Sequence, residues 1–370
     1  MKLVLAKRDD LLRPLQAVSG IVEKRHTLPI LSNVLFERSG DRLQLLATDL
    51  EIQVSTGFEY PQKGGDNYQV TVSARKLQDI LRALPEEADV VLEVQNNRMQ
   101  VRSGKSRFSL QMLPAADFPR LVAAAAGKTV KIKLPQKALR SLLMQVQYAM
   151  AQQDIRYYLN GMLLILEADT LKVVATDGHR LAFASKTMGQ KLELQEAILP
   201  RKAVQELSKL LLDSDAEVSI ELTASQVKFT TAGMELVTKV VDGKFPDYTR
   251  VIPSNYSKHF TVSRLQLQQA LQRVAILSNE KFKGVRWTLT DGQLRIACTN
   301  TEQEEAFEEM EIDYHGDALD IGFNVTYLLD VLNNLDSDKV TCSFGDANSS
   351  VLVTIAEDSA FRYVVMPMRI

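Results

Sequence analysis

Three short segments of this chain repeat one pattern at nearly equal intervals. That repeat constrains the fold more than any other feature. The segments are Leu46-Ala47-Thr48-Asp49-Leu50, Val174-Ala175-Thr176-Asp177-Gly178 and Ala297-Cys298-Thr299-Asn300. Their threonines stand 128 (176 − 48) and 123 (299 − 176) residues apart. Self-similarity at a fixed period marks a tandem architecture in which each repeat is a structural unit.

The surroundings repeat in the same order. An amphipathic helix comes first, with apolar residues at three-to-four spacing. Its stripes are Leu11, Leu12, Leu15 and Val18 within Arg8–Ser19, then Leu139, Leu142, Leu143 and Val146 after Pro135. The third is Leu267, Leu271 and Val274, after the N-cap candidate Ser263. Second helices open at Ala74-Arg75-Lys76 and Pro200-Arg201-Lys202, and a third spans Tyr327 to Leu335. Alternating strands fill the rest. Leu28 to Leu31 enters the first strand, and Leu163–Leu166 and Val173–Asp177 are separate strands of the second pass. The last hairpin runs Ser350–Ile355 and Phe361–Met368. Asn96-Asn97 and Asp291-Gly292 are hairpin turn signals. Phe118-Pro119 and Phe245-Pro246 close the first two passes, and 123–127 reads as a linker. The expectation is three domains, 1–125, 126–253 and 254–370, each with two helices packed on antiparallel sheets, an α+β class.

Composition is globular, 45% hydrophobic and 24% charged, with a net charge of −2. That balance excludes a globally basic nucleic-acid binder but not a local basic face. Two cysteines, Cys298 and Cys342, are too few for a disulfide framework or a zinc site, so reduced buried thiols and no cofactor are expected. No segment is long and apolar enough to span a bilayer, and Met1 to Arg8 is no signal peptide. A cytoplasmic protein is the expectation.

Charge is unevenly placed. The first domain carries Arg98, Arg102, Lys105 and Arg107, with Lys76 on its second helix, and the third crowds Glu302, Glu304, Glu305, Glu308 and Glu309 together. Each charge run alone reads as a solvated face; opposite charges in the first and last domains make head-to-tail pairing of two copies a competing reading, with Phe108 and Leu110 meeting Ile276 and Leu277 as an apolar core. A head-to-tail array that closes is a ring. Asp177 and His179 share a strand face and invite a hydrolase reading. No Ser or Cys nucleophile motif, metal-ligand cluster or P-loop accompanies them. A ringless scaffold with peptide pockets is the other alternative.

Longer motifs cover almost the whole chain. They are Thr27-Leu28-Pro29-Ile30-Leu31, Leu113-Pro114-Ala115-Ala116-Asp117-Phe118-Pro119 and Gln153-Asp154-Ile155-Arg156-Tyr157-Tyr158-Leu159-Asn160-Gly161. Ala175 to Leu181, Ser278-Asn279-Glu280-Lys281-Phe282 and Val364-Val365-Met366-Pro367-Met368-Arg369 complete the set. In this combination the sequence resembles the bacterial DNA polymerase III sliding clamps, the beta subunits. The resemblance implies a head-to-tail homodimer forming a closed ring of six domains, sheets outside and helices lining a hole for duplex DNA. It implies a non-catalytic processivity role within the polymerase holoenzyme, with the replicative polymerase, the clamp loader and repair proteins as partners. It implies DNA contacts at Arg25, Gln153, Tyr157, Tyr158, Arg201 and Lys202. Gln152 and Lys24-Arg25-His26 depart there from the common family pattern. It also implies a pocket for short apolar peptides at Leu159, Thr176, Gly178, His179, Arg180, Leu181, Pro246, Arg250, Val251, Phe282, Asn324, Tyr327, Val351, Val364, Val365, Met366, Pro367, Met368 and Arg369. A Met-rich lining suits varied anchors because methionine re-packs.

Overall fold

The computed structural model of the chain describes residues 2–23, 27–59, 67–122, 128–355 and 358–369. The 123–127 linker and Arg25 lie outside them. The chain begins β1 (Lys2–Lys7), α1 (Arg8–Ser19), β2 (Asn33–Ser39), β3 (Arg42–Thr48), β4 (Ile52–Glu59), β5 (Tyr68–Ser73), α2 (Ala74–Ala83), β6 (Asp89–Gln95), β7 (Arg98–Ser103) and β8 (Ser106–Leu113). It continues β9 (Val130–Pro135), α3 (Gln136–Val146), β10 (Gly161–Thr176), β11 (Arg180–Pro200), α4 (Arg201–Leu210), β12 (Glu217–Leu222), β13 (Gln226–Thr230) and β14 (Met234–Lys239). It ends β15 (Lys258–Ser263), α5 (Arg264–Ala275), β16 (Gly284–Thr290), β17 (Gln293–Thr299), β18 (Glu305–Glu311), β19 (Leu319–Asn324), α6 (Val325–Asn333), β20 (Lys339–Phe344), β21 (Val351–Ile355) and β22 (Asp358–Val365). The order is that of three passes of helix, strands, helix, strands.

By internal contacts the residues group into two compact units, 1–137 with 205–240, and 138–204 with 241–370. The first holds one antiparallel twelve-stranded sheet, ordered β1-β6-β7-β8-β5-β2-β3-β4-β14-β13-β12-β9. Its α1 buries Leu11, Leu12, Leu15 and Val18, the stripe read from spacing, and α2 buries Leu77 and Leu81. Asn96 and Asn97 both have positive φ, 51° and 57°, as a two-residue hairpin turn requires. The ladder between β4 and β14 (Thr56↔Met234 to Ile52↔Thr238) runs between the first and second repeats.

The second unit holds a six-stranded sheet, β10-β11-β22-β21-β20-β15, and a four-stranded one, β18-β17-β16-β19. The ladder from Arg180↔Val365 to Ala184↔Phe361 joins β11 of the second repeat to β22 of the third. Trp287, fully buried, packs among Phe260, Phe323 and Phe344, with the Phe323 ring edge-on at 5.5 Å. Cys298 and Cys342 are buried and unpaired, and burial pushes the Cys342 thiol up to about 12.

Four local expectations are corrected. Pro29 to Ser32 forms a 3-10 turn and the strand starts only at Asn33, because Pro29 suits a first helical position and cannot donate to a ladder. Leu163–Leu166 and Val173–Asp177 are not separate strands. Both belong to β10, whose register shifts twice around Ala168 (φ 54°), a bulge rather than a turn. α6 starts at Val325, two residues before Tyr327, because the Asn324 side chain accepts the Thr326 N–H at 2.9 Å and caps the helix there. The final strand ends at Val365, not Met368. Beyond it the chain stays anchored by Met366 N–H to the His179 carbonyl and Met368 N–H to the Gly322 carbonyl, each 2.9 Å, around Pro367, which has no N–H to give.

Candidate functional site

The repeated Thr-Asp loop builds its turn from its own side chains. In the second copy the Thr176 hydroxyl donates to the Arg180 carbonyl at 2.6 Å and accepts from Gly178 N–H at 3.1 Å. Asp177 Oδ1 accepts from His179 and Arg180 N–H at 2.9 and 3.1 Å. The first copy repeats all four bonds, with Thr48 to the Ile52 carbonyl at 2.8 Å and from Leu50 N–H at 3.1 Å. Asp49 accepts from Glu51 and Ile52 N–H at 3.0 and 2.8 Å. In the third copy Asn300 accepts from Glu302 and Glu304 N–H, at 2.9 and 3.0 Å. The pattern is an Asx turn, which explains why Asp or Asn recurs after the threonine.

Around the second copy lies a cavity of about 200 Å³. Of the expected pocket residues it gathers Leu159, Thr176, Gly178, Arg180, Leu181, Pro246, Val251, Val364 and Met366, and it adds Arg156, Phe245 and Tyr248. Apolar depth comes from Leu163, Ile165, Val174, Leu181, Phe183, Ile198, Phe245 and Val364, which pack as one cluster. Arg156 is held by a fork onto Asp154, Nε–Oδ1 3.0 Å and Nη2–Oδ2 2.8 Å, which draws the Asp154 carboxyl down to about 2. Its guanidinium lies over Gly178 (φ 90°), where an added Cβ would come within 3.2 Å of Nη2. Arg156 escapes pattern reading because its place depends on that short-range fork; the Asp-x-Arg spacing was the available signal.

Arg180 is a wall with a buried root. Its side chain is 9% exposed, bonded to Asp177 (Nε–Oδ2 3.1 Å), Asp330 on α6 (Nη1–Oδ2 2.5 Å) and the Tyr148 carbonyl (Nη2–O 2.6 Å). Its Cζ lies 4.4 Å from the Tyr327 ring centre. Burial opposes its charge, but Tyr363, the Asp330 bond and Asp177 outweigh that and raise its pKa further.

Other expected pocket residues lie outside the cavity's lining. His179 is exposed and contributes its backbone, and Tyr327 braces Arg180 and accepts the Tyr363 hydroxyl at its carbonyl, 2.9 Å. Asn324 caps α6, and Val351 and Val365 are fully buried. Arg250 is exposed beside Asp247 at 2.9 Å, and Phe282 is exposed under Lys281. Pro367 and Met368 are half-buried and Arg369 is exposed.

The 150–160 loop carries three of the six expected DNA-contacting residues, Gln153, Tyr157 and Tyr158. Gln153 (φ 56°) and Tyr157 are exposed, and Tyr158 packs against the apolar cluster. Arg201 donates to the Met150 and Ala151 carbonyls at 2.7 and 3.4 Å, so it pins this loop; burial and the Arg180 charge lower its pKa. Lys202 follows it, half-buried, on α4.

The expected interface residues lie on and beside β8 and β18, with Lys76 on α2 and Ile276 after α5. Lys76, Arg98, Lys105 and Arg107 are exposed, Phe108 is half-buried and Leu110 is buried within the chain. Ile276 is 77% exposed at the end of α5, with Leu277 half-buried behind it. Glu302, Glu304 and Glu305 are exposed, while Glu308 is already bonded to Arg273, Nε–Oε1 2.6 Å, which lowers its pKa.

Family models match consecutive blocks of the chain. The DNA polymerase III beta subunit N-terminal domain matches residues 1–122, the central domain 133–247 and the C-terminal domain 249–369. The chain belongs to the DNA polymerase III beta subunit family. Among its beta-subunit relatives, the beta sliding clamp of Pseudomonas putida is 46% identical over 98% of this chain and 99% of its own. That of Escherichia coli is 45% identical over the same shares. A Pseudomonas aeruginosa sliding clamp, solved bound to griselimycin, superposes with a TM-score of 0.93 at 44% identity, covering 100% of both chains. The three repeats are therefore three beta-clamp domains.

Proposed function

We propose that this chain is a DNA sliding clamp that encircles duplex DNA and tethers the replicative polymerase and other DNA-processing proteins, giving processivity in replication. The observation that carries the reading is the pocket around one altered copy of a tripled loop: the turn of the first copy is kept, and where that copy has Leu50 and Ile52 this one has Gly178 and Arg180, both lining the cavity. The chain is a non-catalytic subunit; DNA-directed DNA polymerase activity belongs to the holoenzyme it serves. Its domains run 1–125, 126–253 and 254–370, and it works in the cytoplasm; among the described residues no helix is long and apolar enough to cross a membrane.

Two copies close head to tail. Among the described residues β8 meets β5 only at Leu113 and Met112, leaving Ser106 to Leu110 an open edge, and β18 pairs only with β17. Open edges invite a strand from another chain. The basic edge, with Arg107 and Lys105, suits the acidic one, with Glu302, Glu304 and Glu305, around Phe108, Leu110, Ile276 and Leu277. Arg25, Gln153, Tyr157, Tyr158, Arg201 and Lys202 contact the duplex, through phosphates and without base readout, so that the ring slides. Clamp loader, polymerases and repair proteins insert apolar peptides at the cavity and along the Met366–Arg369 segment.

The test is topological. Loaded by a clamp loader onto nicked circular DNA, the protein stays bound through gel filtration and is released when the circle is cut. Equal loss from circular and linear DNA would overturn the ring.

A further inference from the structure

We propose that the peptide site extends across Tyr248 into a second hollow on the same sheet face, which takes an acidic flank of the docked peptide. This rests on the docking reading above. The cavity around Arg180 holds only about 200 Å³, below the range of sites that bind a ligand alone, about 300–1,000 Å³. It can seat one or two anchors, and further affinity must come from its surroundings.

Phe245 to Ile252 crosses one face of the six-stranded sheet, packed on Val174, Leu181, Phe183 and Val364. The cavity lies on one side of this strap. On the other is a hollow of about 530 Å³, and Tyr248 lines both. The floor of the second hollow is apolar, with Phe183, Ile252 and Leu352, and Tyr248 stacks on Phe183 at 5.8 Å. Two cations border it, Lys172 and Arg362.

The cations select the occupant. Arg362 is exposed, its Cζ 5.9 Å from the Phe183 ring centre, and no described carboxylate pairs with it. Lys172 is held by Glu167 at 2.5 Å, a half-exposed bond that an incoming carboxylate can exchange. Val174 pairs with Phe183 and Phe183 with Arg362, so Lys172 and Arg362 project from the two strands flanking β11 on one face. Those strands are two interstrand spacings apart, about 10 Å between backbones, so the two cations rise on opposite sides of Phe183. Two acidic residues fit, one for each cation, beside an apolar residue on the Phe183 floor. The fitting partner is a segment in which acidic residues flank the bulky apolar motif.

Fluorescence anisotropy tests this with a labelled hexapeptide of one glutamine and bulky apolar residues. The same peptide is extended at either end by Phe-Asp-Asp or by Phe-Asn-Asn. One acidic extension should tighten binding about threefold to tenfold over its amide twin, the range of two partly exposed ion pairs, and high salt should erase the gain. Arg362→Glu should abolish the gain while the bare hexapeptide binds as before, which also reports intact folding; Arg362→Gln should halve it. Equal affinity for acidic and amide extensions at both ends, or a gain that survives Arg362→Glu, overturns the extension and leaves the docking site standing. Failure of the bare hexapeptide to bind overturns both.

Discussion

Leu50 and Gly178 occupy the same place in two copies of one loop, at φ 76° and 90°. The turn therefore accepts a side chain, and what a side chain at Gly178 would meet is Arg156, whose guanidinium lies 3.2 Å from an added Cβ and must shift by a few tenths of an ångström. Gly178→Ala should cost at most about 1 kcal/mol of stability. It should weaken peptide binding about threefold to tenfold by displacing a wall group worth about 1 kcal/mol. Calorimetric unfolding beside a peptide titration checks both, and unchanged affinity would sink the assignment. Asp154 gives a pH signature. Its folded pKa, about 2, lies below the unfolded value, so its fork with Arg156 stabilises the loop above the ordinary carboxylate range and is lost as pH falls toward about 2. Carboxyl NMR should show a midpoint near 2 that rises toward about 3.9 in Arg156→Ala. At this scale the sequence was partly legible. The Gly-His-Arg departure from the repeat lies at the cavity, with Gly178 and Arg180 lining it and His179 outside the lining, whereas Arg156, Phe245 and Tyr248 enter it through contacts that no period encodes.

Arg180 ties three elements together: β11, which bears it, α6 through Asp330, and the turn after α3 through the Tyr148 carbonyl. A buried guanidinium is costly once a partner is removed. Asp330→Asn leaves Asp177 in place, so it should destabilise by about 1–3 kcal/mol and weaken peptide binding although Asp330 lies outside the cavity. Wild-type affinity in a folded Asp330→Asn protein would limit Arg180 to a structural role. The terminal segment belongs to this scale too. Val365 is fully buried in the ladder with Arg180, so deletion should begin after it. Removing Met366 to Ile370 should abolish peptide binding and keep the dimer by light scattering. Helices were well read from their stripes, because burial of one face fixes a period. The errors came where capping or proline chemistry outranked the period, at Asn324 and Pro29, and where a bulge let one strand run through an apparent break at Ala168.

For the whole molecule, the repeat revealed three units, but joining them depends on ladders such as Ile52↔Thr238 and Leu181↔Val364, which alternation alone does not specify. The same limit applies to contacts between copies. Charge patterning pointed to the first and last domains, and the structure adds that, among the described residues, Ser106 to Leu110 of β8 and one side of β18 are open strand edges. It also removes Glu308 from the free charges, since Arg273 already holds it. Apolar contact should then carry the interface, with the remaining charges setting partner and register. Ile276 is the more telling of the pair, 77% exposed on a chain whose other large aliphatics are mostly buried. Ile276→Ala with Leu277→Ala should give monomers by light scattering at micromolar protein and abolish retention on nicked circular DNA. The pocket is lined by residues of a single chain between Arg156 and Met366, so peptide affinity should be unchanged. The monomer's weak affinity for linear duplex should still fall steeply with salt, because phosphate contacts do not need a closed ring. A double mutant that remains dimeric would move the interface elsewhere. One that is monomeric yet retained on circles would show that closure is not what holds the DNA.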